Sequence, residues 1–210
     1  MGSDPGLPAA FLHLVSPTNI CCLAQRAAAG TIVQEVDLSN WLSLINHALI
    51  YGIGLSLVLT TITVVSGIIA PDMWVSKYPP DIRQKYGPMS VRAARLRPYI
   101  AVLFFITVLV VPLLGLFTLR ARVNDVPFIL AFAFSGIVLL VFNTFDLIVL
   151  DWLFFCTLQP RPMVLPGTQG MPGYNDYRFH FIGFLKGLSF CAAGGLFIAL
   201  LWVVVQRLAI

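Results

Sequence analysis

Two aspartates, Asp146 and Asp151, sit inside FNTFDLIVLDWLFF, residues 142–155, one of the most apolar runs of the chain. Downstream, YNDYRFHFIGFLKG, residues 174–187, supplies Arg178, His180 and Lys186. Carboxylates beside an imidazole can relay a proton or hold a polar headgroup, and carboxylates beside cations can also do no more than tie two helix ends together. Nucleophilic catalysis finds little support, because no G-x-S-x-G, H-E-x-x-H or paired metal-binding acid pattern occurs. Cys21, Cys22, Cys156 and Cys191 lack zinc spacing and suggest no disulfide framework. A haem held by two histidines is excluded within one chain, since His47 and His180 fall at opposite ends of their spans. No metal or cofactor is expected.

The elements that must position these residues belong to a membrane protein. Of 210 residues, 59% are hydrophobic and 10% charged, against about a quarter charged in soluble domains. Residues 1–38 mix Pro, Gly and Ala and read as a loosely ordered tail; residues 39–210 read as the membrane domain. Four stretches reach the roughly 20 residues that cross about 30 Å of hydrocarbon as a helix. They are expected at about 44–70, 99–119, 128–151 and 182–205. Pro71 should end the first, Pro98 open the second, Pro112 kink it, and Asn124 with Asp125 cap the third. The fold expected is all-α: a four-transmembrane-helix bundle with an irregular Pro/Gly-rich loop, QPRPMVLPGTQGMPG, between helices three and four.

Lipid provides no hydrophobic drive between helices, so association relies on close backbone approach at small residues. Gly183, Gly187, Cys191, Gly195 and Ala199 form such a stripe on the last span, and Gly52, Ser56 and Thr60 a shorter one on the first. These faces are expected to meet each other or another chain. Asp146 shares a face with Asn143, three residues back, whereas on an α-helix Asp151 lies about 140° away. Ionic contact is expected between Lys186 or Arg178 and one of the two aspartates. Together, Asn143, Asp146, Asp151, Arg178, His180 and Lys186 form an expected polar network at the inner membrane edge.

Six of the 13 basic residues lie between Lys77 and Arg97. Arg92, Arg95 and Arg97 would lie near the membrane plane and attract anionic lipid. The basic bias places loops 71–98 and 159–181 in the cytoplasm and both termini outside. Tryptophans 41, 74, 152 and 202 fall near the span ends, where interfacial belts lie. Nucleic acid is not an expected partner, because no broad basic face exists; lipids, other membrane subunits or a second copy are.

At FDLIVLDW, LPGTQG and YNDYRFHFIGFLKG the chain resembles a group of small, uncharacterised bacterial four-span membrane proteins, over roughly residues 40–205. That resemblance implies a bacterial inner-membrane location and carries no activity. The functional expectation is a non-enzymatic accessory, assembly or scaffold subunit. The alternative is a small membrane enzyme, or a lipid- or proton-handling protein, with a polar site at Asp146, Asp151, Arg178 and His180.

Overall fold

The structure, a computed structural model, describes residues 17–123 and 126–208, with side chains from Trp41 onward. The chain divides into two units after Ser43, and the membrane bundle is the second, Leu44–Ile210. The tail expected over residues 1–38 falls where no side chain is described, its first 16 residues lying outside the described residues altogether. So do Asn124 and Asp125.

Helix α1, Pro17–Ile69, stops where Ala70 turns to extended backbone, φ −147° and ψ 90°. Pro71 imposes that turn, since its ring clashes with an α-helical predecessor. A tight turn of helix, Pro71–Lys77, leads to α2, Pro80–Tyr86, which ends at Gly87 with φ 91°, a conformation that glycine adopts without steric cost.

Helix α3, Val91–Val123, starts well before the expected 99–119 span. Ser90 caps it: its Oγ accepts the Ala93 N–H at 3.2 Å. The helix that Ser90 caps therefore runs without a break into the second span. Pro98 lies inside the helix rather than at its opening.

Helix α4 is α-helical from Phe128 to Phe145 and then widens into a π-helix over Asp146–Leu158. The backbone step is shown at its end, where Gln159 N–H donates five residues back to the Phe154 carbonyl at 2.9 Å, and the Thr157 side chain spans the same step, its Oγ1 donating to the Trp152 carbonyl at 2.8 Å. Helix α5 spans Tyr177–Leu208, its first turn capped by Asp176, whose Oδ1 accepts the Phe179 N–H at 2.9 Å. Four helical stretches are long and apolar enough to cross a bilayer: Trp41–Ile69, Val91–Val123, Phe128–Leu158 and Tyr177–Leu208. They make an all-α four-span bundle, and no strand occurs among the described residues.

Besides a small cluster of Ala70, Met73 and Ala93, the bundle has two larger cores of different character. Within the spans, Leu44, Leu55, Leu59, Leu116, Phe134, Val138, Ile198 and Trp202 are buried together. Lipid tails are as apolar as these side chains, so this core is held by packing rather than by escape from water. The second core joins Val75, Tyr78, Ile82, Phe155, Cys156, Leu165 and Tyr174 at the end bearing the long loops. At 31 residues, α4 outruns the hydrocarbon. Its last turns meet water, where burying a large side chain such as Phe155 or Ile82 is worth roughly 1.5–3 kcal/mol.

The small-residue stripes, expected to meet each other or another chain, turn toward α4 at Gly52, Gly187 and Gly195. A Cβ added to Gly195 would lie 3.1 Å from the Gly136 backbone, and one on Gly52 would lie 2.7 Å from Val141 Cβ. Helix α4 sits between them and presents Gly136 on one side, where small meets small, and Val141 on the other, where a glycine receives a larger side chain. Ala199 is fully buried and Cys191 packs against the same core. Ser56, also buried, donates to the Gly52 carbonyl at 2.7 Å, and Thr60 Oγ1 is buried without a partner. Gly183, at the stripe's end, is exposed with open space around it.

Candidate functional site

The wide turn of α4 decides where the acids point. Five residues make a π-type hydrogen-bond step, so Asp146 and Asp151 come round toward the same side instead of diverging as on an α-helix. Asp151, His180 and Lys77 are the titratable groups that stand around the half-buried Asp146 carboxylate. Asn143, one α-turn earlier, donates from Nδ2 to the Phe184 carbonyl of α5 at 3.2 Å. Gly187 makes room for it: a Cβ there would lie 2.8 Å from Asn143 Cγ.

Opposite this column, His180 stands one turn into α5. Its Nδ1 lies 3.0 Å from Asp151 Oδ1, the one ion pair within 4 Å among the described residues. Phe155 and Phe179 flank the ring, centroids 4.7 and 5.4 Å away. His180 is 6% exposed, and its Nε2 is buried with no hydrogen-bond partner. A carboxylate that accepts from Nδ1–H selects the tautomer whose Nε2 carries the lone pair. That nitrogen can then accept a proton or a hydrogen bond. Trp152 Nε1, next to Asp151 in the chain, is likewise buried and unpartnered, its ring edge-on to Tyr177 at 6.0 Å.

Arg178 and Lys186 are exposed and join no acid. The reason is angular. Two residues before and six after His180 place them about 160° and 120° away around α5 from the face that meets Asp151. The base that pairs with the acid is therefore the histidine between them.

A plug of loops closes the same end of the bundle. Tyr174 OH accepts the Leu165 N–H at 2.9 Å and meets Thr168 Oγ1 at 2.7 Å, while Thr168 donates to the Leu165 carbonyl at 2.8 Å. Asp81, on α2, accepts the Gly173 N–H at 2.9 Å. Tyr78 donates to the Met163 carbonyl at 2.8 Å, and Gln159 donates to the Cys156 carbonyl and to Asn175. Burial, then the neighbouring Tyr174 phenol, pushes the Tyr78 phenol well above its ordinary range. Burial and the Asp72 carboxylate raise Tyr86.

The opposite end holds a polar cluster that sequence reasoning missed. His47 Nε2 and the Tyr51 hydroxyl both reach Thr118 Oγ1, at 2.7 and 3.0 Å, and Thr118 donates to the Gly115 carbonyl at 3.0 Å. His47 and Tyr51 are consequently the donors. Their spacing of four was the available signal, since it puts both on one helix face. Nearby, Trp202 Nε1 and Gln206 Nε2 both donate to the Val126 carbonyl, at 3.0 and 3.2 Å. Fully buried, Trp202 is an internal tie rather than part of a lipid-facing belt.

Among the described residues no group of three or more His, Cys, Asp or Glu side chains stands together as a metal site would need. What unites the chain is its four membrane-crossing helices, which make it an integral membrane protein. No family model, curated protein or solved structure matches it.

Proposed function

We propose that this protein is a non-enzymatic membrane component, an accessory, assembly or scaffold subunit that packs against other membrane helices, whether a different subunit or a second copy. The outward face of α1 carries this reading. Gly54 points away from the bundle, with no atom beyond its own stretch of helix within 4 Å of where its Cβ would be. One and two turns on, Leu57, Val58, Thr61 and Ile62 line a shallow groove of about 290 Å³. A mid-helix glycine costs about 0.5–1 kcal/mol relative to alanine. A glycine that touches nothing in its own bundle suits the close approach of a foreign helix. On this proposal the protein lies in a bacterial inner membrane with loops 71–98 and 159–181 cytoplasmic, and its partners are lipids and membrane subunits rather than nucleic acid.

Purification in mild detergent, followed by mass measurement and identification of what co-purifies, tests it. A complex heavier than one chain, reduced by Gly54→Leu, is the expected result; a monodisperse, partner-free monomer would refute it.

The unpartnered His180 Nε2 favours a second reading, a lipid- or proton-handling protein or small membrane enzyme built on Asp146, Asp151 and His180, with Arg178 at the periphery. Vesicles holding the full chain and a pH-sensitive dye test its proton-handling form. Flux lost in Asp151→Asn and His180→Ala variants that still fold would support it, and no flux in the wild type would dismiss that form.

A further inference from the structure

Where α1 ends and α3 begins, Ile69, Val91, Arg92, Arg95 and Leu96 line a cleft of about 560 Å³. Arg92 and Arg95, three apart, are neighbours on one helix face. Neither makes an ion pair within 4 Å among the described residues. An acid at this helix start, Asp72, is buried and accepts the Ser90 N–H. Arg97 is differently placed: it lies off the cleft, and its Nη2 donates to Ser76 Oγ at 3.3 Å. The three arginines are therefore not equivalent. Two face a common recess, and one ties its helix to the preceding turn.

The recess joins two chemistries at a single membrane edge. Two planar guanidinium forks match the oxygens of a phosphate. Ile69, Val91 and Leu96 continue the surface as apolar side chains at the ends of two spans. A free phosphate would leave that apolar part unused. A zwitterionic headgroup brings no net charge to the two cations. We propose that this cleft binds one anionic phospholipid, its phosphate on Arg92 and Arg95 and an acyl chain along Ile69, Val91 and Leu96.

The test uses the full chain in neutral detergent, titrated with dioctanoyl phosphatidylglycerol, with dioctanoyl phosphatidylcholine and with inorganic phosphate, bound molecules being counted by native mass spectrometry. The expected result is one retained phosphatidylglycerol per chain, weakened about tenfold or more in R92Q/R95Q, because each basic residue is worth about 1 kcal/mol near an anionic surface. R97Q should change retention by less than about twofold. Both arginines of the cleft are exposed; should R92Q/R95Q nonetheless fail to fold, R92K/R95K, which keeps the charge and loses the fork, should weaken retention measurably. Equal retention of phosphatidylcholine, unchanged retention in the folded arginine variants, or as large a loss in R97Q would each overturn the proposal. Inorganic phosphate that displaces the lipid at comparable concentration would show a plain phosphate site and overturn it as well.

Discussion

Gly187→Ala puts the packing of the last two helices to a quantitative test. On an isolated helix the change should stabilise by about 0.5–1 kcal/mol, because alanine loses less backbone freedom. Here the new methyl would lie 2.8 Å from Asn143 Cγ and 2.9 Å from Nδ2, where ordinary contact begins near 3.4 Å. The carboxamide must swing away, at about 0.5–1.5 kcal/mol if it leaves its rotamer. It also gives up its bond to Phe184, and stranding a polar group costs about 1–3 kcal/mol where burial is full, toward the lower figure for the half-buried Asn143. The losses exceed the gain, leaving a net destabilisation of about 0.5–4 kcal/mol. Asn143→Ala in the same chain removes both the obstacle and the group to be stranded, so the double variant should recover most of the loss. Reversible unfolding in mixed micelles, followed by tryptophan fluorescence against the fraction of denaturing detergent, measures all three variants. A neutral or stabilising Gly187→Ala, or strict additivity in the double variant, would refute the reasoning.

Three further outcomes concern the two ends of the bundle. Gly173→Ala should displace the Asp81 carboxylate, since a Cβ would lie 2.8 Å from its Cγ, and should open the 159–176 loop to protease while the spans stay folded. Asp81→Asn should do so more weakly. Because the folded Tyr78 phenol is raised above the unfolded value of about 10, its contribution is complete below that pH and falls as pH climbs past it toward the raised value. Phenolate absorbance should show a late-ionising tyrosine that disappears in Tyr78→Phe. Trp202→Phe, which loses the donor to Val126, should cost about 1 kcal/mol in the same micelle assay.

The spans were legible because their signals are blunt: long uncharged runs, and a proline at position 71 that forces Ala70 out of the helix. The start of α3 was harder to read. Pro98 looks like a first-turn residue, yet Ser90 supplies a real cap and the helix tolerates the ring. The acids at 146 and 151 were misjudged as diverging because nothing in DLIVLDWLFFCTL announces a wide turn, and their angle depends on that turn. His180 lay in view among Arg178 and Lys186. Choosing it required the phase of α5 relative to α4, which side-chain packing sets and composition does not reveal. The partnering of small residues was similarly hidden, since Gly195 identifies a close approach without saying which helix makes it.

The buried indole at position 202 gives the chain a built-in optical probe. Its ring sits edge-on to Phe117 at 5.0 Å, shielded from quenchers, while Trp41 is 37% exposed. Collisional quenching should accordingly resolve two populations of emitters. The protected one would report on the connection between α3 and α4 at Val126 without any dye attached.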